Sequence, residues 1–306
     1  MGSYILKRIG SMIITMVFVI ALTFFLMRAL PGGPFTREKQ LPPEIEQAII
    51  EKYHLDDPLI VQFKDYFLGI LKLDFGPSYT RKGETVIGLL KLTFPISGKL
   101  GLVSAAFVII LGMPLGIISA LKQNRWEDYI VTIIATLGVA VPSFVIGAGL
   151  RYFLTTKLGW LPATGLDTPA AYIMPVIALS GFSLAFVSRL TRSSMLEVLR
   201  QDYIRTARAK GLSEFVVIGK HALKNALLPV ITYMGPMIAA VMTGSFVVER
   251  LFGIPGMGDF FVSSVQSRDY TMIMGTVILY ALFYVIMIFL VDIIYVYVDP
   301  RIKLND

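Results

Sequence analysis

Six long apolar runs, at 9–30, 94–121, 129–155, 172–190, 226–248 and 273–298, limit this chain more than any other feature. Each holds roughly twenty residues or more, enough to cross about 30 Å of hydrocarbon as an α-helix. With 55% hydrophobic residues, the chain lies above the ~45–50% usual for soluble domains. The expected fold is all-α, a polytopic membrane protein with six transmembrane helices. The formal charge of +7 reads as Lys and Arg retained on one side of a bilayer rather than as a nucleic-acid footprint.

The first run follows Lys7 and Arg8. It exceeds the ~7–15 residues of a signal-peptide core, and no small-x-small cleavage site follows, so an uncleaved helix is expected. Residues 31–93 differ: charges of both signs alternate with apolar residues at helical spacing. Ile45, Ala48, Ile49 and Lys52 mark one helix. Asp57 as N-cap with Pro58 in the first turn opens another, continued by Leu59, Phe63, Tyr66, Phe67 and Ile70. The organisation is therefore a first span at 1–30, a helical insertion at 31–93 and a core at 94–306. No internal repeat is discernible.

Six spans place both termini on one side, together with Lys122, Arg125 and the basic stretch from Arg189 to Lys224. The positive-inside rule makes that side cytoplasmic and the insertion external. Pro114, Pro142, Pro175 and Pro236 fall inside spans, where breaks are tolerated against protein or a water-filled path. Gly112 and Gly116 form a GxxxG pair suited to close helix packing.

Catalytic signatures are missing. No GxxxxGK[ST] loop occurs; Gly98-Lys99 is followed by Leu100 and lacks the upstream glycine. With no Cys and two His, neither a thiol nucleophile nor a metal cluster is expected. Asp292, late in the sixth span, is the exception to the near-absence of acids within spans, and is read as a helix-end group contacting water or a neighbour. Lys99, Arg28 and Arg151 near span ends are read as snorkelling cations.

The segment 191–225 is long, basic and helical in pattern. Helix formers run from Ser193 to Lys210, Gly211 supplies a C-cap, and Ser213 with Glu214 supplies an N-cap and a first-turn acid. Lys220, His221 and Lys224 then suit a helix C-terminus, and Pro229 marks entry to the next span. A helix–glycine–helix held between two spans can transmit force from a partner; a basic loop lying on anionic lipid has the same composition.

The strings YIRTARAKG and HALKNALLPV in this segment resemble the cytoplasmic loop of ABC-importer permeases of the dipeptide/oligopeptide class. RALPGGPF, LPPEIEQAIIEKYHLDDPLIVQF, LDFGPSY, ALKQN, GSFVVERLFGIPGMGDFFVSSVQSRDY and the closing VDP resemble the same family in order. The N-terminal strings are those of the B-subunit branch of oligopeptide permeases. The resemblance implies a type I importer permease fold and an EAA-type coupling loop at 191–225. Arg205, Thr206, Ala207, Arg208, Ala209, Lys210 and Gly211 would then contact an ATPase. Arg205 stands where the general EAA pattern has glutamate, and the stretch from Gly211 to Pro229 is longer than in sugar permeases. It further implies a non-catalytic subunit of a prokaryotic cytoplasmic membrane. The partners would be a homologous second permease, two ATPases holding ATP and Mg, and an external substrate-binding protein; no cofactor would sit in this chain. The implied cargo is an oligopeptide moved by alternating access. Dipeptides, nickel chelates and glutathione are the alternatives within the class, and an ion-coupled secondary transporter is the alternative outside it. No substrate residues are assigned; the 31–93 insertion and the turn from Gly253 to Asp259 are expected to face outward and to receive the binding protein or cover the pathway, with plain packing the alternative for the turn.

Overall fold

A computed structural model describes residues 2–30, 56–81 and 83–298. Twelve helices are labelled below in chain order. α1 is Gly2–Ala29, α2 Leu59–Leu71 and α3 Val86–Leu121. α4 is Trp126–Ala140 and α5 Ser143–Leu150, the latter continued by a π-helical turn Arg151–Lys157. α6 is Ile173–Leu199 and α7 Asp202–Ala209. α8 is the continuous run Glu214–Val216, Val217–Ala222 and Leu223–Ala226, its middle turn π-helical. α9 is Leu228–Met242, α10 Phe246–Leu251, α11 Met257–Gln266 and α12 Tyr270–Val298. Among the described residues the only β feature is an isolated bridge between Pro77 and Thr85.

Five helical stretches are long and apolar enough to span a bilayer, and the α4–α5 pair makes a sixth if counted as one span. That pair shows how far the break expected at Pro142 within 129–155 goes: it bends by 107°. Pro142 is the cause, because its ring excludes the preceding residue from the helical region, and Val141 takes φ −93°, ψ 121°.

Other boundaries move for local reasons. α3 begins at Val86, ahead of the expected position 94, since Thr85 accepts a hydrogen bond from the Gly88 N–H at 3.2 Å and so caps the helix there. Its 36 residues measure about 54 Å, longer than the hydrocarbon, and carry the last residues assigned to the insertion. α6 continues past position 190 to Leu199. The fifth span, expected over 226–248 with a breaker at Pro236, keeps that proline inside α9 and is interrupted instead at Gly244, whose φ of +89° is a left-handed conformation open to glycine. Pro58 sits at the cap of α2, not within its first turn: its carbonyl accepts from Val61 and Gln62, and the Asp57 side chain makes no cap.

α3 and α6 form the centre. Gly112 and Gly116 let them touch: a Cβ on Gly112 would lie 3.1 Å from Val187 Cγ1, and one on Gly116 2.5 Å from the Ser188 carbonyl oxygen. The GxxxG reading is thus a specific α3–α6 contact. Around this centre, Leu100, Met174, Val248 and Phe252 pack one cluster, and Val108, Val187, Val230 and Met237 another.

α1 lies at the side against α12, joined by an Arg8–Asp292 ion pair. Asp292, expected near a helix end, thus has a neighbour in its own chain. α2 docks on α1 through its predicted face, with the Phe24 ring 5.5 Å from Phe63 and 5.7 Å from Tyr66. The helix expected at Ile45–Lys52 and the closing VDP lie outside the described residues, apart from Val298. The three boundary cations all find partners within the chain. Lys99 lies over the Tyr172 ring at 5.3 Å, Arg28 over Phe24 at 5.5 Å, and Arg151 donates to the Leu251 carbonyl at 2.9 Å.

Candidate functional site

The segment joining α6 to α9 folds as an elbow. Its apolar residues are spaced so that Ile204 and Ala207 on α7, and Val217, Ala222 and Ala226 on α8, meet Met195 and Ala120 in one buried cluster. Ile204, Val217, Ala222 and Ala226 are fully buried, so the elbow is anchored to the spans by packing and not draped on them.

Expected as one helical stretch from Ser193 to Lys210, the chain instead breaks at Arg200 and Gln201, where Gln201 takes ψ 148°. α7 then ends as anticipated. Gly211 has φ +77°, and its N–H donates to the Arg208 carbonyl at 2.9 Å. A left-handed residue just past a helix end is the glycine cap. A Cβ at Gly211 would meet nothing within 4 Å, so the requirement for glycine is purely conformational.

Ser213 occupies the N-cap position of α8, yet its side chain makes no capping bond. Glu214 does more than neutralise a helix start. Arg208 Nε donates to Glu214 Oε1 at 2.7 Å and Nη2 to Oε2 at 3.2 Å, a two-pronged clasp across the glycine corner. That guanidinium holds the Glu214 carboxyl below the usual carboxylate range, and the carboxylate raises Arg208 in turn.

Of the seven residues singled out in the sequence, Arg205, Thr206, Arg208, Ala209, Lys210 and Gly211 are exposed and form one continuous surface, while Ala207 turns into the core. Two features went unnoticed. Phe215 is 87% exposed at the start of α8, beside the 40% exposed Leu212. Tyr203 accepts a hydrogen bond from Asn225 Nδ2 at 2.8 Å, tying α7 to the far end of α8. A phenylalanine left almost bare next to a glycine corner has no packing role in the single subunit, and in the sequence it reads as one more apolar residue of a helical pattern.

Below the elbow, Asp128 gathers three elements. It accepts two hydrogen bonds from Arg192 of α6, both at 2.8 Å, one from the Asn124 N–H at 2.9 Å, and one from Ser119 of α3. This fixes the ALKQN turn, in which Asn124 takes φ +62°.

At the opposite end two buried carboxylates organise the segments expected to face a partner. Glu249 accepts from Ser97 Oγ at 2.6 Å, from Gly258 N–H at 2.8 Å and from Asp259 N–H at 3.2 Å. A Cβ on Gly256 or Gly258 would run into that carboxylate, which explains the glycines of the GIPGMGD turn better than turn propensity alone. Asp269 accepts from the Ser78 hydroxyl, from the Thr80 hydroxyl at 2.9 Å and from the Tyr79 N–H at 3.2 Å, binding the end of the insertion to the approach of the last span.

Among the described residues no group of three or more His, Cys, Asp or Glu side chains could hold a metal ion.

The profile of the binding-protein-dependent transport system inner membrane component family matches residues 112–304, and that of the family's N-terminal region matches residues 1–95. The chain belongs to this family. It is 45% identical over 305 residues to the dipeptide transport system permease protein DppB of Bacillus subtilis, covering 100% of this chain and 99% of that protein. It is 43% identical over 305 residues to the oligopeptide transport system permease protein OppB of Escherichia coli K12, covering 99% and 100%. The fold is shared with a MetNI methionine ABC transporter chain solved in an inward-facing conformation, with TM-score 0.56, 18% identity, and coverage of 69% of this permease and 96% of that chain. This permease is thus a multi-pass inner-membrane subunit of an ABC importer, the resemblance read from its loop and flanking strings being the family the whole sequence matches.

Proposed function

We propose that this permease carries peptides inward and receives the force for doing so through the α7–Gly211–α8 elbow. The observation that carries this reading is the split of the elbow into two faces. Ile204, Ala207, Val217 and Ala222 are locked into the spans, while the opposite surface presents Arg205, Arg208, Lys210 and Phe215. A bare aromatic on a polar, cation-bearing surface fits a cleft on another protein, since an exposed anchor in a polar rim is the usual form of a protein contact. An ATPase of the importer is the occupant argued for. Lipid explains the cations but not a clasped corner.

The elbow side is then cytoplasmic, as are both termini, and the Glu249 and Asp269 ends face the external binding protein. ATP and Mg belong to the paired ATPases, and a homologous permease completes the channel. ATP-driven closure of the ATPases would move the elbow and switch the permease pair between inward and outward access. Relatives named for dipeptides and for oligopeptides are about equally similar to this chain, so peptide is the supported cargo class and its length is open to measurement.

The deciding experiment is a mild-detergent pull-down of the tagged chain from its native membrane, comparing wild type with Phe215→Asp. Co-purification of two ATPases and a second permease, with selective loss of the ATPases in the variant, supports the reading. Retention of the ATPases by Phe215→Asp, or binding that tracks anionic lipid content instead, sinks the elbow assignment.

A further inference from the structure

α6 is the most enclosed of the long helices: 50% of its most apolar window is buried, against 33% or less in the other spans. One strip of it stays open. Phe182 is 56% exposed and Phe186 40% exposed, and Arg189 and Ser193 continue the same side. Spacings of four, three and four residues place these side chains one above another.

The strip lies in a trough. α4 forms one rim, pressed close where a Cβ on Gly138 would lie 2.5 Å from the Gly181 carbonyl oxygen. About two turns further along α6, Arg189 Nη2 donates to Thr136 Oγ1 at 2.9 Å. α9 forms the other rim, with the Tyr233 ring 4.2 Å from Phe186, which itself stacks on Phe182 at 6.4 Å.

The chemistry of this strip differs from that of the apolar stretch of α1. There the exposed side chains are mostly aliphatic, Leu6, Ile9, Ile13 and Ile14 among them, with Phe18 and Phe25 interspersed. The trough joins its aromatic rings to a hydroxyl and a guanidinium. Among the described residues no carboxylate lies within ion-pair distance of Arg189. Arg189 stands at the end of the span nearer the elbow, so its charge is available to an anion supplied from outside the chain.

We propose that this trough is a wall of the peptide's route, the rings of Phe182, Phe186 and Tyr233 receiving apolar side chains and Arg189 receiving the terminal carboxylate. Rings bring a large apolar area against which side chains of many kinds can be buried, which suits varied cargo. A guanidinium grips a carboxylate in two-pronged fashion, and the carboxylate is the one anion common to peptides with a free C-terminus. The inference rests on the peptide-importer reading.

The chain has no cysteine, so single cysteines can be placed without a background from this subunit, and labelling is read on its own band. In the complete importer in proteoliposomes, Phe182→Cys and Phe186→Cys are tested with a charged thiol reagent, with Ile13→Cys as the lipid-facing control. The expected result is labelling at 182 and 186 that saturating peptide and binding protein slow by about tenfold or more, and none at 13. Arg189→Gln is expected to lower the preference for free-acid over C-terminally amidated peptide by about tenfold, a loss Arg189→Lys partly restores. Labelling at 182 and 186 only by a lipid-soluble maleimide would make the strip a lipid contact. Cross-linking of those cysteines to the second permease, without peptide protection, would make it a subunit interface; either result overturns the proposal. A wild-type importer that hydrolyses ATP yet moves no peptide would instead bring down the peptide reading itself. Normal peptide uptake with unlabelled cysteines brings down only the trough.

Discussion

Ser97 and Glu249 lie 152 residues apart in sequence and share a hydrogen bond of 2.6 Å with neither residue exposed to solvent. The same hydroxyl accepts from the Met257 N–H at 2.8 Å, so α3, α10 and the GIPGMGD turn meet on one serine. Ser97→Ala leaves the Met257 donor buried without an acceptor, at a cost of about 1–3 kcal/mol. Glu249→Ala strips two backbone donors as well and is expected to be the worse of the two. The apparent melting temperature of the detergent-solubilised importer should fall in the order wild type, Ser97→Ala, Glu249→Ala. Equal midpoints would mean that the carboxylate does not hold the turn.

The two glycines of the GxxxG pair are expected to differ. At Gly116 an added methyl meets backbone, the Ser188 carbonyl oxygen at 2.5 Å; at Gly112 it meets the side chain of Val187 at 3.1 Å. Side chains yield and backbone does not, so Gly116→Ala should incur most of the ~1–3 kcal/mol typical of overpacking and Gly112→Ala much less. Thermal inactivation of peptide uptake separates them. A Gly112→Ala as damaging as Gly116→Ala would contradict the α3–α6 contact as described.

Gly211 permits a test free of steric confusion, because nothing stands near its missing side chain. Left-handed backbone costs an ordinary residue about 1–2 kcal/mol, and a β-branched residue is the poorest fit there. Gly211→Val should therefore reduce ATPase stimulation by loaded binding protein while insertion and yield persist. Gly211→Asn, which tolerates that conformation, should keep most of it. Unchanged stimulation in the valine variant would show that the corner is not needed for coupling.

The Arg208–Glu214 clasp carries a pH signature. Glu214 is held below its ordinary range, so its contribution is complete above the usual carboxylate value of about 4.3 and fades as pH falls through the lowered one. Arg208 is raised, so its share is lost only on rising through a value above the ordinary guanidinium range. An environment-sensitive dye on Leu212→Cys should report a corner unchanged between pH 5 and 9 that loosens on further acidification. In Glu214→Gln the acid transition should vanish; its persistence would assign the loosening to another group.

The sequence carries the spans because apolar length and helical period are local properties, and it carries Gly211 because a helix end followed by glycine is a local pattern too. The α4–α5 bend was half visible: Pro142 marked a break, but whether a break becomes a slight kink or a 107° turn depends on what packs around it. The carboxylate hubs were invisible for a different reason. Glu249 and Asp269 occur within apparently ordinary loop chemistry, and their partners Ser97 and Ser78 lie more than 150 residues away. Phe215 read as another apolar residue in a helical pattern; only the position of α8 against Met195 and Ala120 shows that it points away from everything else. The trough on α6 escaped notice because Phe182 and Phe186 look like core until α4 and α9 are seen to flank them.

α6 runs without interruption from Ile173 to Leu199, and it crosses α4 tightly at Gly181, whose carbonyl oxygen would lie 2.5 Å from a Cβ on Gly138. The eighteen residues between Gly181 and Leu199 extend about 27 Å at 1.5 Å each. If that glycine crossing serves as a fulcrum, a swing of the rod by about 10° displaces the elbow by roughly 5 Å, about one helical turn. The same swing tips Phe182, next to the fulcrum, by well under an ångström. A large stroke at the lever's long end would thus become a fine adjustment where cargo passes.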